Sequence, residues 1–329
     1  MPTVYAAMRD TLVVAEGGGD DRAAEHRRED GRIECVAATP EVALYGTFDA
    51  GLRRSTDGGE SFERVGEDVL PASVMSLAVS PHDPAEWWLG TEPSRVFRST
   101  DAGLSWTEKP GLTALPSADE WYFPPRPDTH HVRWIEVSPA DPERLYVGIE
   151  AGAFVLSTDG GASWRERPEG ARLDNHTLAT HPDDPERVYA AAGDGYAEST
   201  DGGETWTHPQ DGLDHRYVWS VAPLPGDPDT VVVSAASGAG AAHSLPAESY
   251  VYRRSGPARD WERLDGRGLP TGEGVIRAVL ARGAGDAELY AANNRGLFRT
   301  TDGGDSWSRL PVDWPERFES MTCRGLAIV

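Results

Sequence analysis

Three short clusters carry imidazoles, the second with a carboxylate and the third with a phenol: His130-His131, Asp174-Asn175-His176 and His215-Arg216-Tyr217. His243 and Glu248 follow in one polar stretch. Imidazole changes charge near neutrality and, when neutral, ligates transition metals. Carboxylates move protons or act as hard ligands. Arg133, Arg277 and Arg324 add a third ingredient, because a guanidinium is always charged and grips carboxylates or phosphates through paired hydrogen bonds. The chemistry within reach is recognition of a small anion, acid–base work on it, or metal-assisted hydrolysis or elimination. No tight metal signature such as HExxH is present, so any metal or other cofactor stays unidentified.

These residues are scattered from one end of the chain to the other, so only a repeating architecture brings them together. The stretch Ser157–Trp164 recurs as Ser55–Phe62, Ser99–Trp106, Ser199–Trp206 and Thr300–Trp307, with a decayed copy at Arg254–Trp261. Its pattern is Ser/Thr-x-Asp-x-Gly-x-Ser/Thr-Trp/Phe. The Asp accepts backbone N–H groups of its own turn, the Gly supplies positive φ, and the aromatic anchors the next strand on the core. The closing aromatics are spaced by 44, 58, 42, 55 and 46 residues. A period of about 42–46 residues with four short strands is one propeller blade, and the longer intervals are loop insertions.

Each unit reads as an inner strand A, a Pro/Asp turn, strand B, a loop, strand C, the Asp turn and strand D. In the third unit these are Val132–Ser138, Pro139–Pro142, Arg144–Gly148, Ala153–Ser157 and a D strand opening at Trp164. Six units account for about residues 32–312. Met321–Val329 reads as an inner strand lacking a B, and Thr3–Ala7, Thr11–Ala15 and about Ala23–Glu29 read as B, C and D lacking an A. Joined, they make a seventh blade that closes the ring and removes free sheet edges. The expected fold is all-β: one seven-bladed propeller of four-stranded antiparallel blades over residues 1–329, with blade seven shared between about residues 1–31 and 313–329.

Aligning the inner strands puts Glu34, Met75, Arg133, His176, Trp219, Arg277 and Arg324 at one level, a ring near the mouth of the central channel. His130, His131, Asp174, Asn175 and Tyr217 fall just above it. The A–B and Asp turns share one face of the disc, which is scaffold. The two insertions, Pro110–His131 and Ala235–Ser249, map to the other face, where function concentrates in long loops. Arg133, His176, Trp219, Arg277, Arg324, Asn175, His130 and His131 are thus the expected ligand-binding set. The arginines either clamp an anion or pair with Glu34, Glu136 or Glu150.

The repeated turn resembles the Asp-box, or BNR repeat, of sialidases and related propeller proteins. This resemblance spans nearly the whole chain, and it bears on fold far more than on function. A sialidase-like reading implies Arg133, Arg277 and Arg324 as a carboxylate-binding triad, Tyr217 with Glu248 as the nucleophile pair and Asp174 as the acid. Two departures stand against it: seven blades instead of six, and no Phe-Arg-Ile-Pro-like segment near the N-terminus. The grammar is also similar to seven-bladed propellers of the photosystem-assembly kind, which implies a non-catalytic scaffold with Trp121–Pro127 as a partner-binding lip. A metal-dependent hydrolase or lyase built on the histidines is a third expectation.

Composition narrows the partners. The chain has 54 acidic residues against 31 basic ones and a net charge of −23. Lys109 is its single lysine. Such an acidic, lysine-poor surface suits a salt-rich cytoplasm and argues against nucleic acid or anionic membrane as a partner. The expected partner is a small anionic ligand or another protein. Met1-Pro2-Thr3-Val4-Tyr5 has neither a basic nor an apolar leader pattern, which predicts a cytoplasmic protein. Cys35 and Cys323 are too few for a disulfide framework and are expected as buried, reduced thiols on neighbouring inner strands.

Overall fold

The computed structural model describes residues 2–16, 23–28 and 31–329. Seven antiparallel sheets surround a central channel, with inner strands Ile33–Ala38, Val74–Val79, Val132–Val137, Asn175–His181, Tyr217–Leu224, Val279–Arg282 and Cys323–Ile328. The ring closes through the chain ends: Cys323–Ile328 pairs with Val4–Met8, which continues to Thr11–Glu16 and Ala23–Arg28. Thr3 and Val329 exchange both backbone hydrogen bonds, at 2.6 and 3.0 Å. No helix among the described residues is long and apolar enough to cross a membrane.

Alternation along each strand sends apolar side chains to both faces of a blade, and each face packs on the neighbouring blade. The result is seven apolar clusters among the described residues. One joins Tyr5, Leu12 and Val14 of blade seven to Ile33 and Tyr45 of blade one. Another joins Val4 and Val13 of blade seven to Val279 and Tyr290 of blade six. Stability is thus distributed around the disc, and the described strands of blade seven contribute to the clusters on both of its sides.

The Asp turns adopt one geometry. Ser157 Oγ donates to Asp159 Oδ1 at 2.9 Å, while the Ser163 N–H and hydroxyl donate to the two Asp159 oxygens at 2.8 and 2.6 Å. Gly161, at φ 76°, donates its N–H to Ser157 Oγ at 2.9 Å. The same bonds recur around Asp57, Asp101, Asp201 and Asp302. Gly160 N–H reaches the Glu143 carbonyl and Gly202 N–H the Glu186 carbonyl, at 2.8 and 2.7 Å, so the Asp turns and the A–B turns do share a face. The carboxylates of these turns are consumed by structure.

The outer strands depart from the four-strand expectation. Blades three and four have three strands, and the fourth survives as single bridges, Leu156–Arg165 and Glu198–Thr207. Blade five gains a fifth strand, Gly272–Glu273, paired with Glu248 and Ser249. An outermost strand has one neighbour and buries little. Outside blade seven, whose outer strand Ala23–Arg28 runs six residues, it is only two or three residues long where it persists, and largely exposed as at Glu63–Val65 or Glu262–Arg263.

Candidate functional site

The ring residues share a backbone device that the sequence did not reveal. In six inner strands a β-bulge interrupts the ladder, between Ile33 and Cys35, Val74 and Ser76, Val132 and Trp134, Asn175 and Thr177, Val218 and Ser220, and Cys323 and Gly325. The skipped residues are Glu34, Met75, Arg133, His176, Trp219 and Arg324. A bulge leaves its extra residue unpaired and re-aims the side chain. Arg277 lies two residues ahead of its strand, and its N–H donates to the Ala242 carbonyl at 3.2 Å. Across the bulges of the first three blades stand Gly46, Gly90 and Gly148, where a Cβ would come within 2.4, 2.4 and 2.9 Å of the next inner strand. Those glycines, at one place in successive units, were the legible signal for the bulges.

Trp219 is the hub of the site. The Arg277 guanidinium stacks 3.5 Å from its ring centroid, Arg133 lies at 5.0 Å, and the His176 and His243 rings are centred 4.4 and 4.6 Å away. His243 ends a short helix, Ala239–His243, in the blade-five insertion, and its Nε2 shares a hydrogen bond with the Tyr217 hydroxyl at 2.9 Å. Burial, with Arg277 and Arg324 nearby, pushes the His243 imidazole down to about 2, so it is neutral. Burial raises the Tyr217 phenol, and Glu150 and Asp174 raise it further.

The three arginines fare differently. Arg324 Nε lies 3.6 Å from Glu34, and Arg133 Nε lies 3.7 Å from Glu150. Arg277 has no carboxylate partner among the described residues. Its Nη1 donates to the Cys323 carbonyl at 2.8 Å, while Nε and Nη2 are buried without a hydrogen-bond partner. Burial and the charges of Arg324 and Arg133 hold its proton affinity well below the ordinary value. The expectation that all three might be internally paired fails at Arg277.

Beside the arginines is a buried acid–imidazole cluster. Burial pushes Glu150 up, but the hydrogen bond from His131 at 2.8 Å, with His176 and Arg133 close by, holds its carboxyl well below the usual range. His131 also faces Glu92 at 3.3 Å; burial disfavours its charge, but the two carboxylates prevail and raise its pKa. Arg126, from the blade-three insertion, fixes Glu92 through two bonds at 2.7 and 2.5 Å. Asp174 is raised by burial and by the Glu150 charge. His176 is fully buried and lowered by that burial; its Nδ1 donates to the Val218 carbonyl at 2.8 Å. Its Nε2 has no partner and lies 3.7 Å from Asp174 and 4.0 Å from Glu150.

The remaining expected residues separate. His130 packs edge-on against Trp121, and its buried Nδ1 has no partner. Asn175 serves the backbone, donating to the Arg172 carbonyl at 2.8 Å. His215 sits with Tyr250 and Tyr252 instead of joining the cluster. Glu248 is exposed, paired in the blade-five edge ladder, and accepts the Tyr250 hydroxyl at 2.6 Å. The structure gives Tyr217 to His243 and Glu248 to Tyr250, so the two are not assembled as a pair. Glu92 and Glu150 were not foreseen as site residues. Both follow the bulge-facing glycine by two positions, in Gly90-Thr91-Glu92 and Gly148-Ile149-Glu150.

Access lies where it was not expected. A cavity of about 510 Å³ opens at the A–B turn face and is walled by Ala38, Ala78, Val79, Val137, Leu326 and Ile328 with Glu136 and Arg282. A smaller cavity of about 40 Å³ at the ring is lined by Glu34, Met75, Ser76, Arg133 and Arg324. The two share Val36, Leu77, Trp134 and Leu326, so the apolar funnel adjoins the cavity lined by Arg133 and Arg324.

No family model matches the chain. It is 24% identical over 255 residues to the xyloglucanase Xgh74A of Acetivibrio thermocellus, covering 65% of this chain and 28% of that protein. It therefore spans just over a quarter of that curated relative. The GH74 enzyme of Niastella koreensis superposes with a TM-score of 0.65 at 17% identity, over 85% of this chain and 45% of that one. YCF48 bound to a D1 peptide superposes with a TM-score of 0.60 at 18% identity, over 85% and 82% of the two chains. At these identities the likeness is one of fold, and the chain is a seven-bladed β-propeller of the kind found in GH74 enzymes and in YCF48.

Proposed function

We propose that this propeller binds a small carboxylate-bearing molecule inside its central channel, with the carboxylate at the Arg133–Arg277–Arg324 level and the rest of the molecule in the funnel below. The observation that carries this reading is Arg277: a guanidinium buried on Trp219 with two nitrogens unpaired. A buried charge is costly until an opposite charge joins it, so a bound anion gains what the free protein lacks. The funnel walls are mainly alanine, valine, leucine and proline, which favours a ligand with an apolar body.

Calorimetry of the full chain with octanoate and glucuronate tests this. Octanoate is expected to bind more tightly than glucuronate, and to weaken at least about tenfold in Arg277→Met, the loss of one charge-assisted contact. Equal affinity of wild type and Arg277→Met overturns the reading.

A hydrolytic use of the site is the second reading. It is favoured by the similarity to xyloglucanases and by Asp174, whose raised pKa suits a proton donor. A scaffold role is favoured by YCF48, which matches most of both chains. Turnover of chromogenic glycosides that fails in Asp174→Asn supports the second reading.

A further inference from the structure

Glu150, Asp174 and His176 come from the B–C loop of blade three and the inner strand of blade four and its approach. One donor atom from each lies within 4.8 Å of the other two. What distinguishes this group from a chance acidic cluster is how the other atom of each side chain is held. Glu150 Oε2 accepts from His131 at 2.8 Å, Asp174 Oδ1 accepts the Ala151 N–H at 2.8 Å, and His176 Nδ1 donates to the Val218 carbonyl at 2.8 Å. Each side chain is therefore oriented by one atom and presents the other inward. Outer contacts of this kind fix ligands around metals.

The imidazole gives the decisive point. With its proton on Nδ1, His176 turns a lone pair on Nε2 toward two carboxylate oxygens, at 3.7 and 4.0 Å. That nitrogen belongs to a side chain that is 0% exposed and has no hydrogen-bond partner among the described residues. Three electron-rich atoms facing each other in a low-dielectric site repel unless a positive centre sits between them. Arg133 does not fill that place, because it approaches Glu150 through Oε2, the oxygen already bonded to His131.

We propose that Glu150 Oε1, Asp174 Oδ2 and His176 Nε2 form a site for one divalent transition-metal ion of the zinc or manganese kind. This goes beyond anion binding and does not depend on it. Two carboxylates and one neutral imidazole neutralise a divalent ion. The mixed oxygen and nitrogen set suits zinc or manganese better than calcium, which takes oxygen ligands. Metal–ligand distances of about 2.0–2.2 Å require the three side chains to close inward by roughly an ångström. Asp174 acting as a ligand is not a proton donor, so metal binding decides against the acid role of the second reading above.

The test uses the full chain, stripped of metal and titrated with Mn²⁺ alone, then with Zn²⁺ and Ca²⁺. One tight Mn²⁺ site is expected. Its electron spin-echo spectrum should show coupling to a single imidazole nitrogen. In His176→Gln that coupling disappears, and in Asp174→Asn affinity falls at least about tenfold. Asp174 lies on the rim, so Asp174→Asn keeps the test open if His176→Gln fails to fold. Three results overturn the proposal: no Mn²⁺ site at micromolar concentration, a site without nitrogen coupling, or binding unchanged in Asp174→Asn. Calcium binding as tightly as manganese also overturns it, since the histidine would then contribute nothing.

Discussion

Trp219→Leu is expected to destabilise the protein far beyond what its lost volume implies, because Trp219 holds two buried cations. It is 2% exposed, with the Arg277 guanidinium at 3.5 Å and that of Arg133 at 5.0 Å from its ring. A desolvated cation over an indole face is worth about 2 kcal/mol, and a more distant one roughly 1 kcal/mol. Replacing a large aromatic by leucine in a packed site adds about 1–2 kcal/mol of lost contact. The sum is roughly 4–5 kcal/mol. A chain of 329 residues unfolds with an entropy of about 0.7 kcal/mol/K, so the melting temperature should drop by roughly 6–7 °C. Trp219→Phe keeps an aromatic face and should lose about half as much. Differential scanning calorimetry of the two variants decides between causes. If Trp219→Phe melts as low as Trp219→Leu, shape and not cation binding explains the hub. If neither moves, the stacked arginines carry no energy.

Other expectations follow from the scaffold and the site. Trp164→Ala removes an anchor between blades two and three and its 3.0 Å bond to the Pro110 carbonyl, and should cost roughly 3–5 kcal/mol in chemical denaturation. Burial pushes the Cys35 and Cys323 thiols up to about 12 and 11, so neither should react with iodoacetamide at neutral pH until the protein is unfolded. An intact mass that rises by two hydrogens on reduction would contradict free thiols. Burial opposes ionisation of Asp302, but bonds from Ser306 and Thr300 hold its carboxyl down to about 2. A depressed folded value means that its stabilisation is complete above the unfolded value of ~3.9 and is lost as pH falls through about 2. The melting temperature should therefore decline over that window, and a flat profile refutes the turn's role. Glu248→Gln should leave octanoate affinity within about twofold, since its carboxylate serves Tyr250 at the edge of blade five; a tenfold loss would restore it to the site.

The blade grammar, the closure by the chain ends and the ring level were legible because each rests on a local rule repeated many times. A turn that needs Asp and Gly states itself in sequence, and so does the level of Arg133 or His176 once the A–B turns are superposed. What stayed hidden depends on contacts made by single residues across blades. Nothing in the string says that Glu248 turns outward to Tyr250 while Tyr217 reaches His243, because a one-residue change of strand face decides it. Glu150 was foreseen only as a partner for arginine, yet it gathers His131, Arg133 and His176. Cys35 and Cys323 lie on adjacent inner strands as expected. Their thiols nonetheless enter different cores, one directed at the Val74 carbonyl of blade two and the other at its own Gly325.

The central claim is that an anion completes the arginine level of the channel. The most direct measurement is a crystal structure of the protein grown with 8-bromooctanoate, phased on the bromine signal. Bromine should appear in the funnel between Ala38, Ala78 and Ile328, with the carboxylate within hydrogen-bond distance of Arg133, Arg277 or Arg324. Bromine found only on the outer surface, with Arg277 Nε and Nη2 still lacking an anion at saturating ligand, contradicts the claim.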